Sequence, residues 1–131
     1  MIVDSSALIA ILRTEPEATQ FIQAIAKSSV RRMSAVSFVE AAAVMDGGRD
    51  PVASRKFDEF LRSAKITIEA VTEAQARIAR DAYRDFGKGS AHPAGLNLGD
   101  CFAYALAKDA GEPLLFKGND FAKTDLTSAL G

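Results

Sequence analysis

A short apolar or β-branched run gives way to a turn and then to a helical segment again and again along this chain, and that alternation restricts the fold more than any other feature. The runs are "MIV", "VRRMSAVS", "KITIEAV" and "EPLLFKG". Between them the apolar spacing predicts helices over "SSALIAILR", "ATQFIQAIAK", "SFVEAAAVM", "PVASRKFDEFLRSA", "EAQARIARDAYRDFG" and "LNLGDCFAYALAKDAG". Capping chemistry marks their starts. Thr14 with Glu17, Ser37 with Glu40, Thr72 with Gln75 and Asn97 with Asp100 all have capping-box spacing, and Gly111 closes the last long helix. Strands separated by helices pair in parallel through right-handed crossovers, so the expected fold is α/β, a mostly parallel central sheet with helices on both faces. Gly47, Gly48 and Pro51 mark one break and "GKGSAHPAG" another, but no linker, repeat or low-complexity stretch divides residues 1–131, which read as a single domain.

Composition excludes several classes of function. The 131 residues are 48% hydrophobic and 25% charged, enough for one buried core. No apolar stretch approaches the roughly 18 residues of a membrane helix, and the start lacks a basic leader, so a cytoplasmic protein is expected. A lone cysteine, Cys101, builds neither an internal disulfide nor a thiolate metal site. The net charge of −1 gives no general affinity for nucleic acid, so any such role must come from a local site. Basic residues concentrate mid-chain, Arg31, Arg32, Arg55, Lys56 and Arg62 among them, interleaved with acids in a pattern expected of solvated helix faces.

In open parallel sheets ligands gather beyond the carboxyl ends of the strands. The sequence delivers acids there: Asp4 directly after the first strand, Glu40 in the first turn of the helix after the second, Asp100 in the first turn of the helix after the long loop, and Asp120 after "PLLF". Each has an ordinary explanation as a helix cap. Caps need no shared location, however, and these positions all fit one end of one sheet. Carboxylates brought together repel unless a cation joins them, and oxygen donors without His or Cys suit Mg²⁺ or Mn²⁺. Such a centre activates water against a phosphodiester.

The stretches "MIVDSSAL", "SFVEAA", "HPAGLNLGDCFAYALA" and "PLLFKGNDF" resemble, in order and over essentially the whole chain, the PIN-domain ribonucleases of the VapC toxin family. The resemblance implies an α/β/α sandwich and a Mg²⁺- or Mn²⁺-dependent endoribonuclease that serves as the toxin of a type II toxin–antitoxin pair. It further implies a homodimer and a small cognate antitoxin that covers the acidic site. Carried across by motif, the site acids are Asp4, Glu40, Asp100 and Asp120, with Asp4 and Asp100 as metal ligands. "KGNDF" departs from the family pattern, because Asn119 stands where similar proteins often have a second adjacent acid; Asp125 is an outside candidate for the fourth acid, with a fold-end cap as its expected role.

Other residues have plainer readings. His92 is expected to set the turn before Pro93, Cys101 to pack within an Ala-rich helix, and Phe38, Phe102 and Tyr104 to fill the core rather than stack on bases. Ser5 and Ser6 serve equally as caps or as holders of Asp4. Two other functions compete with the nuclease. Aspartyl-phosphate chemistry on Asp4, with Lys117 steadying the phosphoryl group, is disfavoured because Ser6 stands where such phosphatases carry a second aspartate. A non-catalytic module that binds RNA or protein is the other, and the retention of four acids argues against it.

Overall fold

The computed structural model describes residues 1–131. Strand β1 (Ile2–Val3) leads into α1 (Ser5–Leu12) and α2 (Ala18–Lys27), and β2 (Arg32–Ser34) into α3 (Ala35–Gly47) and α4 (Pro51–Ser63). Strand β3 (Thr67–Glu69) leads into α5 (Glu73–Phe86) and α6 (Leu98–Ala110), and β4 (Leu114–Leu115) into one 3-10 turn, Phe121–Lys123. All four strands are parallel, in the order β3-β2-β1-β4, with Ile2 beside both Arg32 and Leu114 and Val3 beside Leu115. The chain winds outward from β1 to β3 and then returns to the other side of β1. The switch point therefore falls between β1 and β4.

Alternation along these short strands sorts the core into two layers. Val3, Met33 and Leu115 face one cluster, built with Leu8 and Ile11 of α1, Phe21 and Ile25 of α2, Met45 of α3 and Phe57 and Leu61 of α4. Ile2 and Leu114 face the other, with Ala79 and Ala82 of α5 and Cys101, Ala103, Tyr104 and Leu106 of α6. Both faces of the sheet are thus covered, as an all-parallel sheet requires. The result is the expected α/β/α sandwich.

Two of the expected caps are not formed. Strand β2 ends at Ser34, three residues earlier than "VRRMSAVS" suggests, and the Ser34 hydroxyl accepts from the amide of Val36 at 3.2 Å. Helix α3 has already begun when the chain reaches Ser37, which is buried with its hydroxyl unpartnered. Glu40 is consequently in the second turn, with no capping duty. Thr14 has a positive φ of 52°, and α2 begins at Ala18 without any side-chain cap. The acids of that turn go elsewhere: Glu15 and Glu17 pair with Lys117 at 2.8 and 3.4 Å. Thr72 caps α5, Asn97 and Asp100 form a complete capping box on α6, and Gly111 ends α6 in the left-handed conformation.

Two of the mid-chain arginines also depart from the solvated-face expectation. Arg31 donates to the carbonyls of Ser28, Ala64 and Ala26, and Arg32 pairs with Glu112 and, at 3.8 Å, with Glu69. These contacts tie β2 to β3, to the segment before β4 and to the ends of α2 and α4.

Asp125 holds the tail against α6. Its carboxylate accepts from the Tyr104 hydroxyl at 2.7 Å and from Lys108 Nζ at 2.9 Å. Asp125→Ala leaves the Tyr104 hydroxyl, on a buried side chain, without its acceptor, at an expected cost of about 1–3 kcal/mol. Urea unfolding should show that loss, and Asp125→Asn, which keeps an acceptor, should show less of it.

Candidate active site

Asp4 is built into the end of the central strand. Its amide donates to the Leu115 carbonyl at 2.9 Å, which fixes the backbone beside β4. Its side chain turns onto α1, where Oδ2 accepts from the Ser6 amide at 3.0 Å and from the Ser6 hydroxyl at 2.6 Å. The same hydroxyl accepts from the Lys117 amide at 3.0 Å, so Ser6 joins the start of α1 to the chain leaving β4. Asp4 is therefore a helix cap, but with one oxygen only. Oδ1 is buried without a partner, and the whole residue is 2% exposed. Burial pushes its carboxyl up to about 6, against the two bonds from Ser6 and with a further push from the charge of Asp100.

Glu40 comes to the same place from α3. Its Oε1 is buried and unpartnered, and its carboxyl is pushed up to about 7, first by burial and then by Asp4 and Asp100. The carboxylate lies against the backbone of Gly99, where any Cβ would collide with it. Gly99 is thus the residue that lets Glu40 reach the start of α6.

Asp100 closes the capping box: Oδ2 accepts from the Asn97 amide at 3.0 Å while Asn97 Oδ1 accepts from the Asp100 amide at 2.8 Å. Its second oxygen takes no part in the box. Burial raises the Asp100 carboxyl; the Asn97 amide opposes the rise, Asp120 adds to it and Lys88 opposes it. Asp120 is exposed just before the 3-10 turn and caps nothing. Asp4, Glu40 and Asp100 therefore feel one another's charge, and Asp120 stands at the edge of the group. No set of three His, Cys, Asp or Glu side chains is arranged to hold a metal ion unaided.

His92 Nδ1 accepts from the Ala94 amide at 3.0 Å, and its ring meets Phe86 edge-on. Cys101 is buried, its thiol pushed up to about 11 by burial and then by Asp100. Phe38 packs on Phe57 and Tyr104 on Phe86. Of the two serines it is Ser6 whose hydroxyl holds Asp4. Lys88 lies in "GKGSAHPAG", the loop beside Asp100 where substrate contacts are expected, whereas Gly99, within "HPAGLNLGDCFAYALA", has a role that depends on Glu40, a distant residue that only the fold brings to it.

The family model described as "PIN domain" matches residues 1–126. The chain belongs to the PIN-domain family. Among its relatives, Ribonuclease VapC28 of Mycobacterium tuberculosis is 58% identical over 130 residues, spanning 99% of this chain and 98% of that one. Ribonuclease VapC42 of the same organism is 50% identical over 129 residues, 98% of each chain. These place the chain in the VapC branch of the PIN family. Two solved structures share the fold. The M. tuberculosis VapC20 crystal structure, described as a sarcin-ricin loop cleaving toxin, superposes with a TM-score of 0.74 at 16% identity over 96% of this chain and 95% of that one. A toxin–antitoxin complex from Klebsiella pneumoniae gives 0.69 at 20% identity, over 92% and 89%.

In this PIN domain Gly99→Ala should drive the Glu40 carboxylate out of its buried seat. Carboxyl-carbon NMR titration should then show Glu40 moving from about 7 toward the ordinary carboxylate range. A second expectation concerns stability. Asp4 and Glu40 bind protons more tightly folded than unfolded, so their contribution is most favourable at low pH and is lost as pH rises from about 4 through about 6 and about 7. Without divalent cations, the thermal midpoint should therefore fall by several degrees between pH 5 and pH 7.5, and Asp4→Asn should shrink that fall.

Proposed function

We propose that this chain is a Mg²⁺- or Mn²⁺-dependent endoribonuclease acting as the toxin of a type II toxin–antitoxin pair, with Asp4, Glu40, Asp100 and Asp120 as its site. One observation carries the reading: two buried carboxylate oxygens, Asp4 Oδ1 and Glu40 Oε1, have no hydrogen-bond partner although their acids lie within one another's field. Buried acceptors are almost always satisfied, so such a pair calls for a positive partner. The donors fit a hard cation, being oxygens only. That no three of them form a ready cage also fits Mg²⁺, which takes one or two carboxylates and keeps several waters. Asp4 and Asp100 are the residues that would hold it. When bound, a divalent cation supplies positive charge to the phosphodiester oxygens and acidifies water.

The chain's own groups have separable tasks. Ser6 fixes Asp4 by one oxygen and so aims the other into the site. The capping box does the same for Asp100. Hydrolysis adds water across a P–O bond: the water oxygen bonds to phosphorus, the ester oxygen leaves and takes up a proton from solvent, and the proton given up by the attacking water needs an acceptor. Glu40, whose carboxyl is raised toward neutrality, holds that proton at Oε1. Asp120, exposed at the rim, meets the substrate side of the site. RNA is the substrate class by relation to the VapC ribonucleases, and a small antitoxin and a second copy of the chain are the proposed protein partners. Val39 and Leu98, 61% and 62% exposed beside Glu40 and Gly99, supply apolar surface for such contacts.

The test is cleavage of structured RNAs with Mg²⁺ or Mn²⁺, against EDTA and Asp100→Asn controls. Asp4→Asn and Asp100→Asn are expected to slow cleavage by about 100-fold or more with circular dichroism unchanged. Asp125→Ala, outside the site, should cleave at the wild-type rate. Equal cleavage by wild type, variant and EDTA-treated protein would trace the activity to a contaminant and refute the proposal.

A further inference from the structure

The loop between α5 and α6 is a fastened frame, not a slack connection. A parallel bridge between Gly87 and Leu96 closes its base, with the Lys88 amide donating to Leu96 O at 2.8 Å and the Leu96 amide to Phe86 O at 2.9 Å. Ser90 Oγ donates to Gly87 O at 2.6 Å and accepts from the His92 amide at 3.2 Å. Gly89 and Gly95 take φ of 87° and 53°, conformations suited to glycine. Lys123, after β4, reaches back to Pro93 O at 3.5 Å.

This frame fixes the backbone of Lys88 opposite Leu96, one residue before the Asn97 cap and four before Asp100. Its ammonium is exposed and makes no ion pair, whereas the lysines on either side of β4 are committed, Lys108 to Asp125 and Lys117 to Glu15 and Glu17. Through that backbone tie Lys88 is joined to the segment that enters α6 at the Asn97–Asp100 capping box. An unpaired cation held at the rim of an acidic centre answers a difficulty of that centre, which repels the polyanion it has to bind.

We infer that Lys88 is a substrate-binding residue whose ammonium contacts an RNA backbone phosphate next to the one that is cleaved. The inference rests on the ribonuclease reading. Two other roles compete: tuning Asp100 electrostatically, and solvation alone. A phosphate contact contributes counterion release of about 0.7 to the salt slope for a single strand, or about fivefold in affinity at 0.1 M salt.

Lys88→Gln and Lys88→Arg are compared with wild type in two measurements. The first is steady-state cleavage of a structured RNA with Mn²⁺; the second is fluorescence anisotropy of the same RNA in EDTA across a salt series. Lys88→Gln is expected to raise KM about fivefold with kcat nearly unchanged, to weaken binding in EDTA and to flatten the salt slope by about 0.7, with Lys88→Arg restoring all three. An unchanged KM and slope in Lys88→Gln overturns the inference. A fall in kcat at constant KM also overturns it, assigning Lys88 to the tuning of Asp100. A wild-type protein that cleaves no RNA with either metal refutes the ribonuclease reading itself, which separates the two failures.

Discussion

A carboxylate buried at the end of the central strand is the constraint to which the rest of this fold is fitted. Asp4 cannot be hydrated there, and one hydroxyl makes its place tolerable: Ser6 gives Asp4 its shortest hydrogen bond and takes one from the amide of Lys117. That pair of bonds couples the helix leaving β1 to the chain leaving β4, across the switch point of the sheet. It also leaves the other Asp4 oxygen unsatisfied, so the group is only half compensated. A protein built for stability alone would carry an asparagine or serine cap here. The retained charge is a cost to the fold that a bound cation would offset.

The neighbouring acids reach the same end by different routes. Glu40 arrives because Ser34, not Ser37, caps α3, which moves it out of the capping turn and leaves its carboxylate free. Asp100 arrives as the third residue of α6, held by the Asn97 box. Gly99 gives the two elements room to meet. Three independent local devices thus converge on one small volume, and none of them depends on another being present in sequence.

Much of this was readable beforehand because it is encoded locally. The alternation of strand and helix signals implied the parallel sandwich, and the Asn97 and Thr72 caps formed as their spacing required. The capping spacings at Ser37 and Thr14 misled for a physical reason. Ser34 and Ser37 stand close together and the end of β2 decides for Ser34, while at α2 the acid of the spacing, Glu17, finds a better partner in Lys117. The motif resemblance pointed to Asp4, Glu40, Asp100 and Asp120, and the fold brings the first three within one another's field with Asp120 beside Asp100. The contact of Glu40 with Gly99 and the double role of Ser6 were not legible, because each joins segments far apart in the chain. The same holds for Arg31 and Arg32, which look like surface charge until the strands and loops they fasten are assembled.

The pairing of β1 with β4 has a consequence for biosynthesis. Ile2 and Val3 lie beside Leu114 and Leu115, so the middle of the sheet is closed by a strand that leaves the ribosome after the other three. Long-range parallel pairing of this kind forms late, after the intervening loop has been closed. Until then Asp4 lacks the Leu115 carbonyl that anchors its amide, Ser6 lacks the Lys117 amide, and Asp120 has not been made. A nascent chain can hold its first helices and most of its acids and still have no assembled centre. Only a chain extended through Leu115, Lys117 and Asp120 has every part of that centre.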